Sequence, residues 1–212
     1  MDKVGISERR KERLEKTVSK RLDGLTIVAE GTHLRHNLSA IIRTAESFGI
    51  SSVHLISSEK KKMSGAAKGS ERWVNLIIHK NTEQCFEYLK NKGFKLFVAD
   101  FQNDSYTPET IPIDSPVAIV MGTELVGVSE EARALADGSI IIPMYGLTQS
   151  LNVSVASACI LQRLSTRMRT AGIGGMGDSQ QADLLNKWLE REMQERIHRH
   201  HRRKLAKPQQ DV

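Results

Sequence analysis

Three short stretches of this chain concentrate the residue types that chemistry needs. The first is Asn37–Arg43, NLSAIIR, a polar entry followed by an arginine. A guanidinium offers five donors in a fixed fork and suits a phosphate or a growing oxyanion. Arg43 directly follows Ile42, so on a helix it points about 100° away and flanks the apolar stripe. An exposed helical arginine can equally be a plain solvated charge.

The second stretch is 121–132, MGTELVGVSEEA. Gly122 and Gly127 bracket a tight turn after an apolar run, and Glu124 sits inside it. The G-x-x-x-x-G spacing is that of a phosphate loop, but Val128 stands where the lysine must be, and no G-x-G-x-x-G exists. A nucleoside-triphosphate or dinucleotide site is therefore poorly supported. A plain turn feeding a helix fits the same residues.

The third is 140–161, IIIPMYGLTQSLNVSVASACIL. Ile140, Ile141 and Ile142 read as a buried strand that Pro143 ends by removing a ladder donor. Gly146, Thr148, Gln149 and Ser150 then free the backbone to present polar groups. From Leu151 the spacing turns helical, with Leu151, Val155, Ala158, Cys159 and Gln162 on or near one face. Such a loop at the carboxyl end of a strand is where α/β sheets bind ligands. Ser150 has no obvious His and Asp partners, so a hydrolase triad is a weak reading. His198, His200 and His201 lie among Arg199, Arg202 and Arg203, whose charge disfavours a dication, so no metal site is expected.

The elements that must position these stretches are legible from periodicity. Residues 25–30, 53–56, 75–79, 95–100 and 117–122 read as strands. Residues 7–22, 36–48 and 83–91 read as helices, the last two stopped by Gly49 and Gly93. Ser129 caps a helix that ends at Gly138, and another helix spans 151–170. Strands alternating with helices imply a mostly parallel α/β sheet. A glycine-rich linker, AGIGGMGDS, precedes an amphipathic helix over 180–204 with Leu184, Leu185, Trp188, Leu189 and Met193 as its stripe. The expected division is a basic N-terminal helix (1–22), a central domain (23–172), and a linker with a basic C-terminal helix (173–212).

The charge is uneven. The chain carries 31 Lys/Arg against 25 Asp/Glu, net +6. Residues 1–21 and residues 187–212 each hold eight basic and four acidic side chains, leaving the middle at −2. Two basic ends on a near-neutral body suit a polyanionic partner, although two solvated helices would look alike. No apolar run approaches the ~20 residues that span a bilayer, and the charged first residues lack a signal-peptide core. A cytoplasmic protein without membrane is expected. Cys85 and Cys159 both read as reduced core thiols.

Together, N-L-S-A-I-I-R-T-A at 37–45, M-G-T-E-L-x-G-V-S at 121–129 and I-P-M-x-G-L-x-Q-S-L-N-V-S-V-A-S-A at 142–158 resemble the three motifs of the SPOUT methyltransferases. Within these the chain is most similar to the tRNA (guanosine-18) 2′-O-methyltransferases. The resemblance runs from about Val28 to Ser165. It implies an α/β sheet whose carboxyl-terminal part is a trefoil knot, which general topology rules would not have suggested. It also implies S-adenosylmethionine as cofactor, a homodimer with its site near the subunit interface, tRNA as partner, and no DNA. Residue by residue, Arg43 matches the catalytic arginine and Asn37 the asparagine before it. Glu124 matches the motif-two glutamate, and Ser150 and Asn152 the motif-three polar pair. Backbone near Asp100, Gly122, Ile142, Met144 and Leu151 would hold the cofactor. The reaction implied is methyl transfer to the ribose 2′-hydroxyl of guanosine 18 in the D-loop. The same chemistry on ribosomal RNA and a non-catalytic RNA-binding role are the alternatives.

Overall fold

Runs of β-branched and aliphatic residues become strands, and the helical spacings between them become the layers that cover those strands. A computed structural model describes residues 5–31, 35–57, 69–102, 104–123 and 126–205. In chain order these form α1 (Glu8–Val18), β1 (Leu25–Glu30), α2 (Arg35–Ser47), β2 (Ser52–Ile56), β3 (Asn75–His79), α3 (Thr82–Asn91), β4 (Lys95–Ala99), β5 (Val117–Met121), α4 (Glu130–Leu135), β6 (Gly138–Ile140), α5 (Val153–Thr170) and α6 (Asp178–Leu205). The chain divides into two units, residues 21–175 and residues 1–20 with 176–212.

The larger unit is a six-stranded sheet in the order β3-β2-β1-β5-β4-β6. Every strand pairing within it is parallel. β1 and β5 lie side by side at its centre and are buried along their whole length. Alternation then sorts the side chains. Ile27, Ala29, Val53, Phe97 and Ile119 face α2 and α5, whereas Val28, Leu96, Val98, Ala118 and Val120 face α3 and α4. A parallel sheet covered on both faces is the arrangement such apolar strands require.

Three features differ from the sequence reading. α4 stops at Leu135 instead of Gly138, because Asp137 leaves the helix to bind β4: its amide donates to the Leu96 carbonyl and its carboxylate accepts from the Leu96 amide. Gly138 therefore opens β6, where an added Cβ would sit 3.3 Å from the Phe97 ring. β6 ends at Ile140, and the Ile141 amide turns to the Tyr106 carbonyl. α1 likewise ends at Val18, short of 22.

The fourth difference is the face of α5. Its buried positions are Val153, Ser157, Ile160, Leu161, Leu164, Ser165 and Met168. The set Leu151, Val155, Ala158, Cys159 and Gln162 is displaced by two residues, about 200° of helix, and faces outward. Val155 is 47% exposed. Two serines disguised the core face. Ser157 donates to the Val153 carbonyl at 2.7 Å and Ser165 to that of Gln162 at 3.0 Å, so neither carries an unmet hydroxyl inward. Cys159 is accordingly exposed, while Cys85 is buried as expected.

The linker is not a free tether where it leaves the sheet. The Asp23 and Gly24 amides both donate to the Gly174 carbonyl, and a Cβ on Gly24 would meet the Gly174 Cα at 2.7 Å. In the smaller unit α1 packs on α6. Arg10 pairs with the buried Glu192 at 2.7 Å, and Arg196 donates to the Gly5 carbonyl. Leu184, Leu185 and Leu189 are half-buried and Trp188 is buried, but Met193 is exposed.

Beneath α3, His54 and His79 are both buried and share a hydrogen bond, Nδ1 to Nε2, at 2.9 Å. Burial, then His79 and Lys92, push His54 down to about 4, and burial lowers His79 as well. The unfolded chain thus binds protons that the folded one refuses, so stability present above the ordinary imidazole value of 6.5 is lost as pH falls from there toward 4. Urea unfolding at pH 7 and at pH 4.5 is expected to show about 2–3 kcal/mol lost to this site, and a His54→Gln variant is expected to lose less.

Candidate functional site

The carboxyl ends of β4, β5 and β6 open on one side of the sheet, and each leads into a turn that cannot continue a strand. β5 runs into Gly122, and the chain folds back at once. Thr123 and Gly127 exchange both amide-to-carbonyl bonds at 2.9 and 3.0 Å, and the Thr123 hydroxyl accepts from the Val126 amide. Gly127 has φ +72°, and a Cβ on Gly122 would lie 2.0 Å from the Gly127 carbonyl carbon. No side chain fits there, so both glycines are required by geometry. Ser129 then caps α4 by accepting from the Ala132 amide.

After β6, residues 143–152 form an exposed loop. It ends at Asn152, the N-cap of α5, whose carbonyl oxygen accepts from the Ser154 amide at 2.9 Å and the Ser154 hydroxyl at 2.6 Å. The Asn152 amide nitrogen donates to the Asn37 side-chain oxygen at 3.3 Å. Asn37 is only 3% exposed. This bond joins the first and third sequence stretches, 115 residues apart.

Between these turns lies a cavity of about 570 Å³. Asp100, Gly122, Ile142, Met144 and Leu151, the five residues expected to hold a cofactor, all line it, as do Ser150 and Asn152. Asn37 reaches it through Asn152. Arg43 does not line it; it stands exposed on α2. Glu124 lies outside the described residues. Ala156 and Ile160 of α5, Gln149 and the exposed Phe101 complete the wall and were missed by sequence reasoning. Only the i, i+4 spacing of Ala156 and Ile160 could have signalled the first two.

The wall is mostly aliphatic, with backbone amides and carbonyls at the two turns and one carboxylate, Asp100. Such a cavity suits a flat heteroaromatic group with a few polar anchors. Among the described lining residues there is no histidine, cysteine or lysine, so no nucleophile–base pair is assembled beside Ser150. Asp100 is held by Arg133 of α4, Nε to Oδ2 at 2.5 Å. Behind the site, Glu30 at the end of β1 accepts from the Ser129 amide (2.8 Å), the Ser129 hydroxyl (2.7 Å) and the Thr82 hydroxyl (2.7 Å). Neither Glu30 nor Arg133 was singled out from sequence.

Residues 24–162 match the model of the SpoU rRNA Methylase family. A tRNA (guanosine(18)-2'-O)-methyltransferase of Thermus thermophilus is 38% identical over 169 residues, 79% of this chain and 87% of that one. The crystal structure of the Aquifex aeolicus TrmH/SpoU tRNA modifying enzyme superposes with a TM-score of 0.78 at 33% identity, over 87% of this chain and 96% of that chain. The SpoU methyltransferase AviRb from Streptomyces viridochromogenes, solved in complex with the cofactor AdoMet, shares the fold with a TM-score of 0.62 at 21% identity, over 74% of this chain and 62% of that one.

Gly122→Ala tests the turn. The new methyl would meet backbone that cannot move aside, so urea unfolding is expected to show about 3 kcal/mol of lost stability, whereas Gly146→Ala, which meets nothing within 4 Å, is expected to be close to neutral.

Proposed function

Because the chain belongs to the SpoU rRNA Methylase family, we infer that it is an S-adenosylmethionine-dependent tRNA (guanosine-18) 2′-O-methyltransferase. The observation that carries this reading is convergence. Residues from 100, 122, 142–144 and 150–152 close one cavity at the carboxyl end of the sheet, and relatives that span most of the chain bear that activity. The cavity fits the cofactor in size and in lining, with aliphatic walls for the adenine, amides and carbonyls for its edge, and one acid. When bound, S-adenosylmethionine supplies an electrophilic methyl group whose sulfur leaves as a neutral thioether.

The chain's own residues have three tasks. Gly122, Ile142, Met144 and Leu151 exclude water and fix the adenosine end. Ser150 and Asn152 orient the ribose, with Asn152 held in place by the buried Asn37. Arg43 holds the RNA phosphate beside the 2′-hydroxyl and stabilises the negative charge that grows on its oxygen. A guanidinium keeps its own proton in proteins, so in this reading the phosphate beside it accepts the hydroxyl's. Glu124 belongs at the turn after β5, as motif order implies. Alignment of this kind can supply roughly 7–11 kcal/mol of the barrier.

Two further readings concern partners. The basic ends, +4 each, grip tRNA phosphates. The exposed α5 face carrying Leu151 and Val155, next to Tyr145 and Leu147, which stand fully in solvent, is the homodimer face. That assembly also answers why Arg43 is missing from the wall: it completes a site shared between two copies. Among the described residues no helix is long and apolar enough to cross a membrane, and a cytoplasmic location goes with the tRNA substrate.

Mapping 2′-O-methylated nucleotides in tRNA incubated with the protein and labelled cofactor is expected to place the methyl at guanosine 18; a methyl found only in ribosomal RNA would overturn the substrate. Arg43→Ala is expected to lower turnover at least about a hundredfold while calorimetry finds cofactor affinity nearly unchanged. Val155→Asp is expected to sediment as a monomer and to lose transfer with it.

A further inference from the structure

Asp100 is the only ionised side chain among the described residues that line the cavity. It stands just past β4, on a backbone whose carbonyl accepts from the Ser105 hydroxyl at 3.2 Å. One of its oxygens, Oδ2, is taken by Arg133 Nε at 2.5 Å. The other has no side-chain partner printed by its geometry other than the cavity it borders.

Arg133 is placed by elements that have nothing to do with ligand contact. It lies on α4, whose first turn is tied to Glu30 through Ser129. Its guanidinium also passes beside the glycine turn after β5, where a Cβ on Gly127 would meet Arg133 Nη2 at 3.6 Å. The arginine therefore fixes two walls of one cavity relative to each other: the end of β4 and the turn after β5. Its side chain is one third exposed, and that of Asp100 about one quarter, so a surface pair of this kind adds little to folding. Its position at the lip of the cavity gives it another use.

Resting on the methyltransferase reading, we propose that Arg133 is a positioning residue for the methyl donor. It locks the Asp100 carboxylate so that the remaining oxygen accepts a hydrogen bond from a hydroxyl or ammonium group of S-adenosylmethionine. The sulfur's charge is not what the pair senses. Hydroxyl and ammonium groups are common to donor and demethylated product, so both ligands use the same anchor.

The test is calorimetric titration of S-adenosylmethionine and S-adenosylhomocysteine into the full chain and its variants, with steady-state methylation of tRNA alongside. Arg133→Ala is expected to weaken both ligands by about tenfold, the worth of one charge-assisted hydrogen bond. The KM for the donor is expected to rise by the same factor, with kcat within about twofold. Arg133→Lys, which keeps a cation within reach of Asp100, is expected to recover most of the loss. Asp100→Ala is expected to weaken both ligands at least as much, and the double variant no further, since the two residues act as one unit. If Arg133→Ala does not fold, Arg133→Gln gives the same readings. Unchanged affinity in the arginine variants, losses that add in the double variant, or an Asp100→Ala chain that binds normally would each overturn the proposal. A wild-type chain that binds no donor would overturn the methyltransferase reading and this proposal with it; one that binds donor and methylates tRNA isolates the failure to Arg133.

Discussion

A buried carboxylate at the end of the central strand β1 holds the working side of the sheet together. Glu30 is almost fully buried and accepts three hydrogen bonds: one from Thr82 at the start of α3, two from Ser129 at the cap of α4. An ionised group in the interior is costly unless its acceptor capacity is met. Here two helix N-termini meet it, where the backbone dipole favours negative charge. The same carboxylate contributes, after burial itself, to pushing the Cys85 thiol up to about 12, which leaves that cysteine an inert core group. Because α4 is only six residues long, it has little packing of its own to fix it. Its orientation, and with it the turn at Gly122–Gly127 and the reach of Arg133, follows from Glu30.

From that anchor the cavity follows by exclusion. β4, β5 and β6 are packed on both faces and end together, and their exits are residues that refuse a strand: Asp100 bound sideways by Arg133, Gly122 folded against Gly127, Pro143 without an amide hydrogen. α5 closes the far side, with Val153 and Ile160 buried against the sheet core and Ala156 small enough to leave room. The polar groups on this wall are mostly backbone or amide, which suits recognition of an uncharged heterocycle and leaves acid–base chemistry to be supplied from elsewhere.

How much of this is legible in the sequence depends on the range of the interaction. The strands are legible because β-branched runs state their own burial, and α2 and α3 because their stripes and terminal glycines are local. The cavity wall is legible because its residues sit in three contiguous motifs. The core face of α5 is not, since Ser157 and Ser165 satisfy their hydroxyls within the helix and occupy positions an apolar pattern would reserve for carbon; reading the remaining apolar residues as the stripe turns the helix around and buries Cys159 on paper. β6 is misplaced because nothing near Gly138 announces that Phe97, forty-one residues earlier in the chain, will pack against it. Glu30 and Arg133 are invisible for the same reason: their partners lie 52, 99 and 33 residues away, and a lone Glu or Arg in sequence carries no sign of them.

The separation of Arg43 from the cavity wall then has a physical consequence. Asn37 and Arg43 share α2, yet Asn37 faces inward and bonds Asn152 while Arg43 faces solvent. Six residues along a helix advance about 9 Å and turn through about 600°, so both cannot serve one small cavity from the same side. In a single chain the binding wall and the cation that would steady a growing oxyanion are therefore distinct surfaces. An exposed apolar stripe on α5, beginning at Leu151 on the cavity rim and continuing through Val155, is the kind of surface a second copy covers. An enzyme built this way keeps its cofactor wall intact in each subunit and becomes reactive toward RNA only when two chains bring wall and arginine together.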